Sequence, residues 1–146
     1  MSLTPANTRI DPEKIAAYCK TSYCLILQSG TLELAVNIRH DDLSALFERH
    51  AVECGAFITA YNPRGTLQHT HLNQIAHASL KNRVATLKLI GIDAFTQTHS
   101  GDWPTEHGLF VLGIGLEQAK LLGSELGQDA LVWIGPDLTP TLILLR

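Results

Sequence analysis

Apolar and polar residues follow two periods along this chain, and these periods divide it into strands and helices. Continuous apolar runs of five or six residues are typical of buried strands. They occur at 23–27, 56–61, 109–114 and 130–134. Residues 32–36 alternate between apolar and polar side chains, and Ser29-Gly30 in front of them predicts a hairpin with the first run. Weaker strands are predicted at 92–98 and 141–145.

Apolar residues at helical spacing predict four helices among these strands. The predicted helices are 12–20, 42–52, 67–89 and 116–126. The first begins at Asp11-Pro12, because aspartate caps a helix and proline is tolerated at its first position. The longest is expected to turn Leu72 and Ile75 towards the core. It should end at Gly91, since glycine readily adopts the left-handed conformation that closes many helices.

The order of strands and helices decides the predicted fold class. Two strand–helix–strand units, 56–98 and 109–134, indicate parallel neighbours, since a helix commonly connects such strands. We therefore predict a single α/β domain over residues 1–146, with a mixed, partly parallel sheet, covering helices and a loose lead-in at 1–11. The alternative is an α+β fold of two layers with helices on one face only, because the hairpin and the closing turn add antiparallel strands.

Composition and charge narrow the classes of function. A chain of 146 residues with 45% hydrophobic residues can form a core without a disulfide or a structural metal. A net charge of −3 disfavours nucleic acid as a partner, and no apolar run reaches the roughly 18–20 residues that span a membrane. The polar start of the chain lacks a secretory signal, and its three cysteines form no Cys-x-x-Cys pair, so we expect a cytoplasmic protein.

The end of the strand 56–61 is the predicted ligand site. In open α/β sheets, ligands bind beyond the carboxyl ends of strands and close to the first turn of the next helix. Tyr61, Asn62 and Arg64 occupy such a position, where free N–H groups and the Arg64 guanidinium would favour an anion. We therefore predict that a nucleotide or a phosphate-like molecule binds at 61–66. A tight turn without a ligand is the alternative, because asparagine and proline are common turn residues.

An uneven distribution of charge supports an anionic ligand at this place. Residues 55–92 contain no aspartate or glutamate, but they contain four lysine or arginine residues and three histidines. From Asp93 onward, seven acidic residues outnumber two basic ones. The strand, turn and helix are thus locally electropositive in an acidic protein, although a solvated helix face would have the same composition.

The sequence contains no complete motif for a metal site, a dinucleotide site or a catalytic nucleophile. His69, His71 and His77 do not have the i, i+4 spacing of helical metal ligands, so we predict no metal. Gly113-Ile114-Gly115 lacks the third glycine of a dinucleotide-binding turn, and no nucleophile elbow occurs. We therefore predict no cofactor.

Several blocks of the sequence resemble a bacterial family of unknown function. The blocks are Ile58-Thr59-Ala60-Tyr61-Asn62-Pro63, Asn73, Gly91, Glu106 ahead of Phe110-Val111, and Gly127-Gln128-Asp129-Ala130-Leu131-Val132-Trp133. From about residue 18 onward, they make the chain similar to the domain-of-unknown-function family DUF3293. The resemblance implies a small standalone bacterial domain and no particular activity. It also draws attention to polar residues that a core does not require, namely Thr59, Asn62, Asn73, Glu106 and Gln128.

Three functions follow, in this order of preference. The first is a binding module for a small anionic ligand in contact with Tyr61, Asn62, Arg64 and Asn73. The second is an enzyme, in which Glu106 acts as general acid or base while Asn62 and Asn73 orient the substrate. The third is an interaction module, a homo-oligomer included, in which the apolar edge at 142–145 or the hairpin pairs with a partner.

Overall fold

The computed structural model describes residues 3–99, 101 and 103–146, and within them seven strands form one sheet accompanied by four α-helices. The strands are β1 (Ser22–Leu27), β2 (Gly30–Ala35), β3 (Gly55–Thr59), β4 (Ile90–Gln97), β5 (His107–Leu112), β6 (Ala130–Ile134) and β7 (Thr141–Leu144). The helices are α1 (Pro12–Lys20), α2 (Leu43–Arg49), α3 (Thr70–Thr86) and α4 (Leu116–Glu125). A 3-10 turn, Pro63–Gly65, follows β3. The predicted hairpin and the predicted first helix are confirmed.

The sheet is antiparallel throughout the described residues. Its strand order is β2-β1-β4-β5-β3-β6-β7, and each neighbouring pair is antiparallel. The predicted mixed, partly parallel sheet is therefore wrong.

The reason lies in how the two strand–helix–strand units are interleaved. The unit β3-α3-β4 does join strands that run in the same direction, but β5 lies between them. The unit β5-α4-β6 likewise has β3 between its strands. This is the interleaved βαββαβ arrangement known as ferredoxin-like, extended by the hairpin at one edge and by β7 at the other. The helical connections predict the direction of a strand, but they do not predict its neighbour.

Helices cover both faces of the sheet. On one face, α2 contributes Leu43, Leu46 and Phe47 to a core with Phe57, Phe110 and Val132. On the other face, α3 and α4 contribute Leu80, Val84, Ala119 and Leu122 to a core with Ile58, Leu109 and Val111. Alternate residues of β3 and β5 thus serve opposite cores, as expected for central strands. A two-layer fold with helices on one face, the alternative considered above, is not observed either.

The longest helix is rotated relative to its predicted orientation. Leu72 and Ile75, expected in the core, are 52% and 54% exposed, whereas Asn73 is 5% exposed. The side chain of Asn73 is drawn inward by hydrogen bonds to the turn after β3, and the buried stripe continues from it at helical intervals. The helix ends at Thr86, and Gly91 lies in β4 rather than at a helix end. Across the described part of the chain, no helix combines the length and apolarity needed to cross a membrane.

Candidate functional site

The candidate site forms where the end of β3 meets the start of β5. Thr59 pairs with Gly108 in the antiparallel register, so the turn after β3 lies beside the loop before β5. Thr59 also closes the strand, because its hydroxyl donates to the His107 carbonyl at 2.7 Å and accepts the Tyr61 N–H at 3.1 Å. The antiparallel pairing, which the sequence did not predict, is what brings these two segments together.

Asn62 is the central residue of the turn after β3. It is 3% exposed and has a left-handed backbone, with φ of 45° and ψ of 63°. Asparagine tolerates this conformation better than most residues with a β-carbon. The chain therefore turns sharply while the amide side chain of Asn62 stays inside the protein.

Two asparagines lock the turn to α3. The backbone N–H of Asn62 donates to Asn73 Oδ1, and Asn73 Nδ2 donates to Asn62 Oδ1, both at 2.9 Å. Gln68 completes the network, since its backbone N–H reaches Asn62 Oδ1 at 3.0 Å and its Nε2 reaches Asn73 Oδ1 at 2.7 Å. Buried amides that satisfy one another in this way fix a single conformation.

The side-chain amide nitrogen of Asn62 lies against Glu106, the residue immediately before β5. Asn62 Nδ2 donates to Glu106 Oε2 at 2.8 Å, and the indole Nε1 of Trp103 donates to the same oxygen at 2.9 Å. Thr96 holds the backbone of Glu106 through two hydrogen bonds. The Glu106 N–H donates to the Thr96 hydroxyl at 3.0 Å, and the Thr96 N–H donates to the Glu106 carbonyl at 2.9 Å. Within the described ranges, no group donates to Glu106 Oε1. The described donors thus hold the carboxylate through one oxygen.

Burial shifts the acidity of this carboxyl group. Desolvation raises the pKa of Glu106 above its ordinary value, because a charge is less stable away from water. The hydrogen bonds from Asn62 and Trp103 oppose this shift, since they stabilise the charged form. On balance Glu106 keeps its proton to a higher pH than an exposed glutamate does.

Glu106 lines a cavity between α1 and the sheet. Its volume of about 270 Å³ lies near the lower end of the roughly 300–1,000 Å³ of small-molecule sites. The walls are mainly apolar and include Tyr23, Phe57, Leu131, Val132, Leu142 and Trp103. On the side of α1, the lining residues are Lys14, Ala17, Tyr18 and Thr21.

A buried carboxylate holds α1 over the cavity. The helix itself contributes no buried residue. Asp129, whose side chain is fully buried, accepts from Lys14 Nζ at 3.4 Å, from the Tyr18 hydroxyl at 3.4 Å and from Arg146 Nε. Burial and the Asp129 charge raise the pKa of Tyr18, so its hydroxyl stays protonated and continues to donate. Lys14 Nζ also donates to the Arg64 carbonyl at 2.9 Å.

The predicted site residues fall into two groups. Asn62, Asn73 and Glu106 are brought together by the network described above. Tyr61 instead lines a second cavity of about 300 Å³ beneath α3, where its ring packs edge-on against the rings of His77 at 6.1 Å and His107 at 5.8 Å. Arg64 is exposed and does not line the Glu106 cavity.

The amides of the turn are engaged within the chain. The N–H of Arg64 donates to the Gly127 carbonyl at 2.9 Å, that of Gly65 to Asn62 at 3.0 Å and that of Thr66 to Pro63 at 3.2 Å. In the described portion of the protein, no group of three or more histidine, cysteine, aspartate or glutamate side chains is arranged to hold a metal ion.

Sequence reasoning did not select three residues of this site. Trp103 gave a partial signal, because an indole N–H in a loop requires an acceptor and Glu106 follows three residues later. Tyr18 and Lys14 gave none, because nothing in the pattern of α1 indicates which face of the sheet it covers.

Comparison with known proteins identifies the family. The model of the family described as "Protein of unknown function (DUF3293)" matches residues 58–131 of the 146, a range that contains Asn62, Asn73, Glu106 and Asp129. The chain therefore belongs to this family, and the predicted resemblance is confirmed. No curated protein and no solved structure matches the chain.

Proposed function

We propose that this member of the DUF3293 family binds a small, largely apolar molecule in the cavity between α1 and the sheet, with Glu106 as the group that recognises it. The observation that carries the proposal is the Glu106 carboxylate, held through one oxygen by Asn62 and Trp103 at the wall of a mainly apolar cavity. Ligand sites commonly combine such apolar walls with a few oriented polar groups.

A structural role alone does not account for a glutamate at this position. Glutamine would accept the same hydrogen bonds from Asn62 and Trp103 through its side-chain oxygen. It would do so without placing an ionisable carboxyl where burial opposes its charge. The acidic group is therefore better explained by what it does towards the cavity.

Acid–base catalysis by Glu106 is the second candidate function. The raised pKa favours it, because a general acid or base works best when its pKa is close to the working pH. In this case Asn62 and Asn73 position the carboxyl group rather than the substrate, since their amides are engaged with Glu106 and with each other.

Anion binding at the turn 61–66 has less support. The amides of Asn62, Arg64, Gly65 and Thr66 donate within the chain, so they do not form a cradle for a phosphate. The exposed side chain of Arg64 still favours an anion there, as a weak surface contact.

The cellular location of the protein stays a prediction. A cytoplasmic location agrees with three cysteines that are all free thiols, and a bacterial source is what the family resemblance implies. Pairing with a partner or with a second copy also stays a prediction, and β2 and β7 are the edge strands at which it would occur.

The two tryptophans provide a test with an internal control. The Trp103 indole N–H bonds Glu106 at the cavity, whereas the Trp133 indole N–H bonds the Ile114 carbonyl at 3.0 Å, away from it. A panel of small aromatic and aliphatic molecules is added while both indole N–H resonances are followed by NMR, with Trp103→Phe and Trp133→Phe to assign them. A ligand should shift the Trp103 signal and leave Trp133 in place. If no molecule moves Trp103, the proposed function is wrong.

A further inference from the structure

We infer that the ligand of this cavity carries a positive charge, as an organic ammonium or amidinium group, an inference that rests on the proposed function. Among the residues that the structure describes, two charged side chains line the cavity, Lys14 and Glu106. Lys14 pairs with Asp129, whereas no described lysine, arginine or histidine forms a salt bridge with Glu106. Within the described part of the chain, the cavity thus contains an acidic group without a cationic partner.

The charge of Lys14 is already engaged. Asp129 has no exposed side-chain surface and holds both Lys14 and Arg146. The side chains of Lys14 and Arg146 are 40% and 32% exposed. Solvent therefore screens the positive charge that the single carboxylate of Asp129 does not neutralise. An anionic ligand would therefore gain little from Lys14, and it would be repelled by an ionised Glu106.

The partners of Glu106 orient it without neutralising it. Both donors to Oε2, the Asn62 amide and the Trp103 indole, are uncharged. An ionised carboxylate in this partly buried place is screened less by water than one at the surface, so a cation within contact distance is attracted to it. A ligand cation would supply an ion pair that no described residue makes with Glu106.

The aromatic walls suit a cation as well. Tyr18, Tyr23, Phe57 and Trp103 all line the cavity, and the rings of Tyr23 and Phe57 pack at 5.2 Å with an interplanar angle of 62°. Aromatic faces attract ammonium and guanidinium-like groups within about 6 Å of the ring centre. A carboxylate together with several aromatic rings is a combination that recognises organic amines rather than neutral or anionic molecules.

The test is a series of probes that differ in charge and not in shape. Benzylammonium, benzyl alcohol and benzoate are titrated at neutral pH into the wild-type protein, and Kd is obtained from the Trp103 indole resonance. Benzylammonium should bind at least about tenfold more tightly than benzyl alcohol, because hydrogen bonds to charged groups are the stronger ones. Glu106→Gln should abolish this difference between benzylammonium and benzyl alcohol. Glu117→Gln, at an exposed carboxylate of α4, is the matched control and should behave as wild type.

The outcomes separate the two proposals. If benzyl alcohol or benzoate binds as tightly as benzylammonium, the ligand is not selected by positive charge, and only the proposed function survives. The same conclusion follows if Glu106→Gln retains the preference for benzylammonium. If none of the three probes shifts the Trp103 resonance, the cavity does not take molecules of this size, and both proposals are overturned.

Discussion

At the scale of residues, a few polar side chains distinguish the end of β3 from a packed strand end and form the proposed recognition site. Asn62, Asn73 and Glu106 could be selected from the sequence because an apolar core does not require them, and the structure brings them together. Their roles could not be assigned in the same way. The partner of a side-chain amide depends on which strands are neighbours, and the sequence pattern gave the wrong neighbours.

Glu106→Gln tests the acidity of this partly buried carboxyl group. Burial raises the folded-state pKa above its unfolded value, so the folded protein binds the proton more tightly. The resulting stabilisation is present at low pH and is lost as pH rises through the folded pKa. The Tm of the variant relative to wild type should therefore increase as pH rises from about 4 to about 8, a range that brackets an upward shift from the ordinary glutamate value. Parallel Tm curves for the two proteins would contradict this expectation.

Two substitutions at Asn62 separate its backbone role from its side-chain role. Asn62→Ala removes the side-chain bonds to Gln68, Asn73 and Glu106, and alanine tolerates the positive φ at this position less well than asparagine does. We expect a loss of about 2–4 kcal/mol in the free energy of unfolding. Asn62→Gly loses the same bonds without the backbone strain, and it should cost less by about 1 kcal/mol. Urea denaturation measures both values. If both variants lose the same free energy of unfolding, the left-handed backbone at position 62 does not contribute to the cost of Asn62→Ala.

At the scale of elements, most helices and strands could be predicted, because most of them bury an apolar face at the period of their own structure. The helix α1, which contributes no buried residue, was predicted from its start at Asp11-Pro12. The rotation of α3 could not, because it follows the buried amide of Asn73 rather than the apolar residues Leu72 and Ile75. The position of α1 over the cavity could not be predicted either. Its attachment depends on Asp129, which lies more than a hundred residues away in the chain.

Asp129→Asn should loosen α1 selectively. The variant keeps the shape of the side chain but removes the charge that holds Lys14 and Arg146. Both cations are partly exposed, so water can take over their solvation, and we expect a loss of about 1–3 kcal/mol rather than the larger cost of a fully buried pair. Hydrogen exchange should become faster in 12–20 and remain unchanged in 116–125. Uniform acceleration in both helices would show that Asp129 supports the whole fold instead.

At the scale of the whole molecule, the antiparallel interleaving of the strands creates the site. Because β3 lies between β5 and β6, and β5 between β3 and β4, the end of β3 meets the start of β5 and the end of β4. Asn62, Glu106 and Thr96 consequently converge, although more than thirty positions separate Asn62 from Thr96. Strand order depends on how the side chains on each face of the sheet pack together. Phe57 and Phe110 pack on one face, and Ile58 and Leu109 pack on the other. Local periodicity therefore could not reveal it.

A crystal structure of the protein soaked with benzylamine tests the central claim most directly. The account predicts density for the ligand between α1 and the sheet, with its ammonium nitrogen about 2.7–3.0 Å from a carboxylate oxygen of Glu106 and its ring against the aromatic walls. A crystal of Glu106→Gln soaked in the same way should show an empty cavity or a ligand with its nitrogen turned away. An unoccupied cavity in the wild-type crystal, or benzylamine bound only at surface carboxylates, would contradict the account.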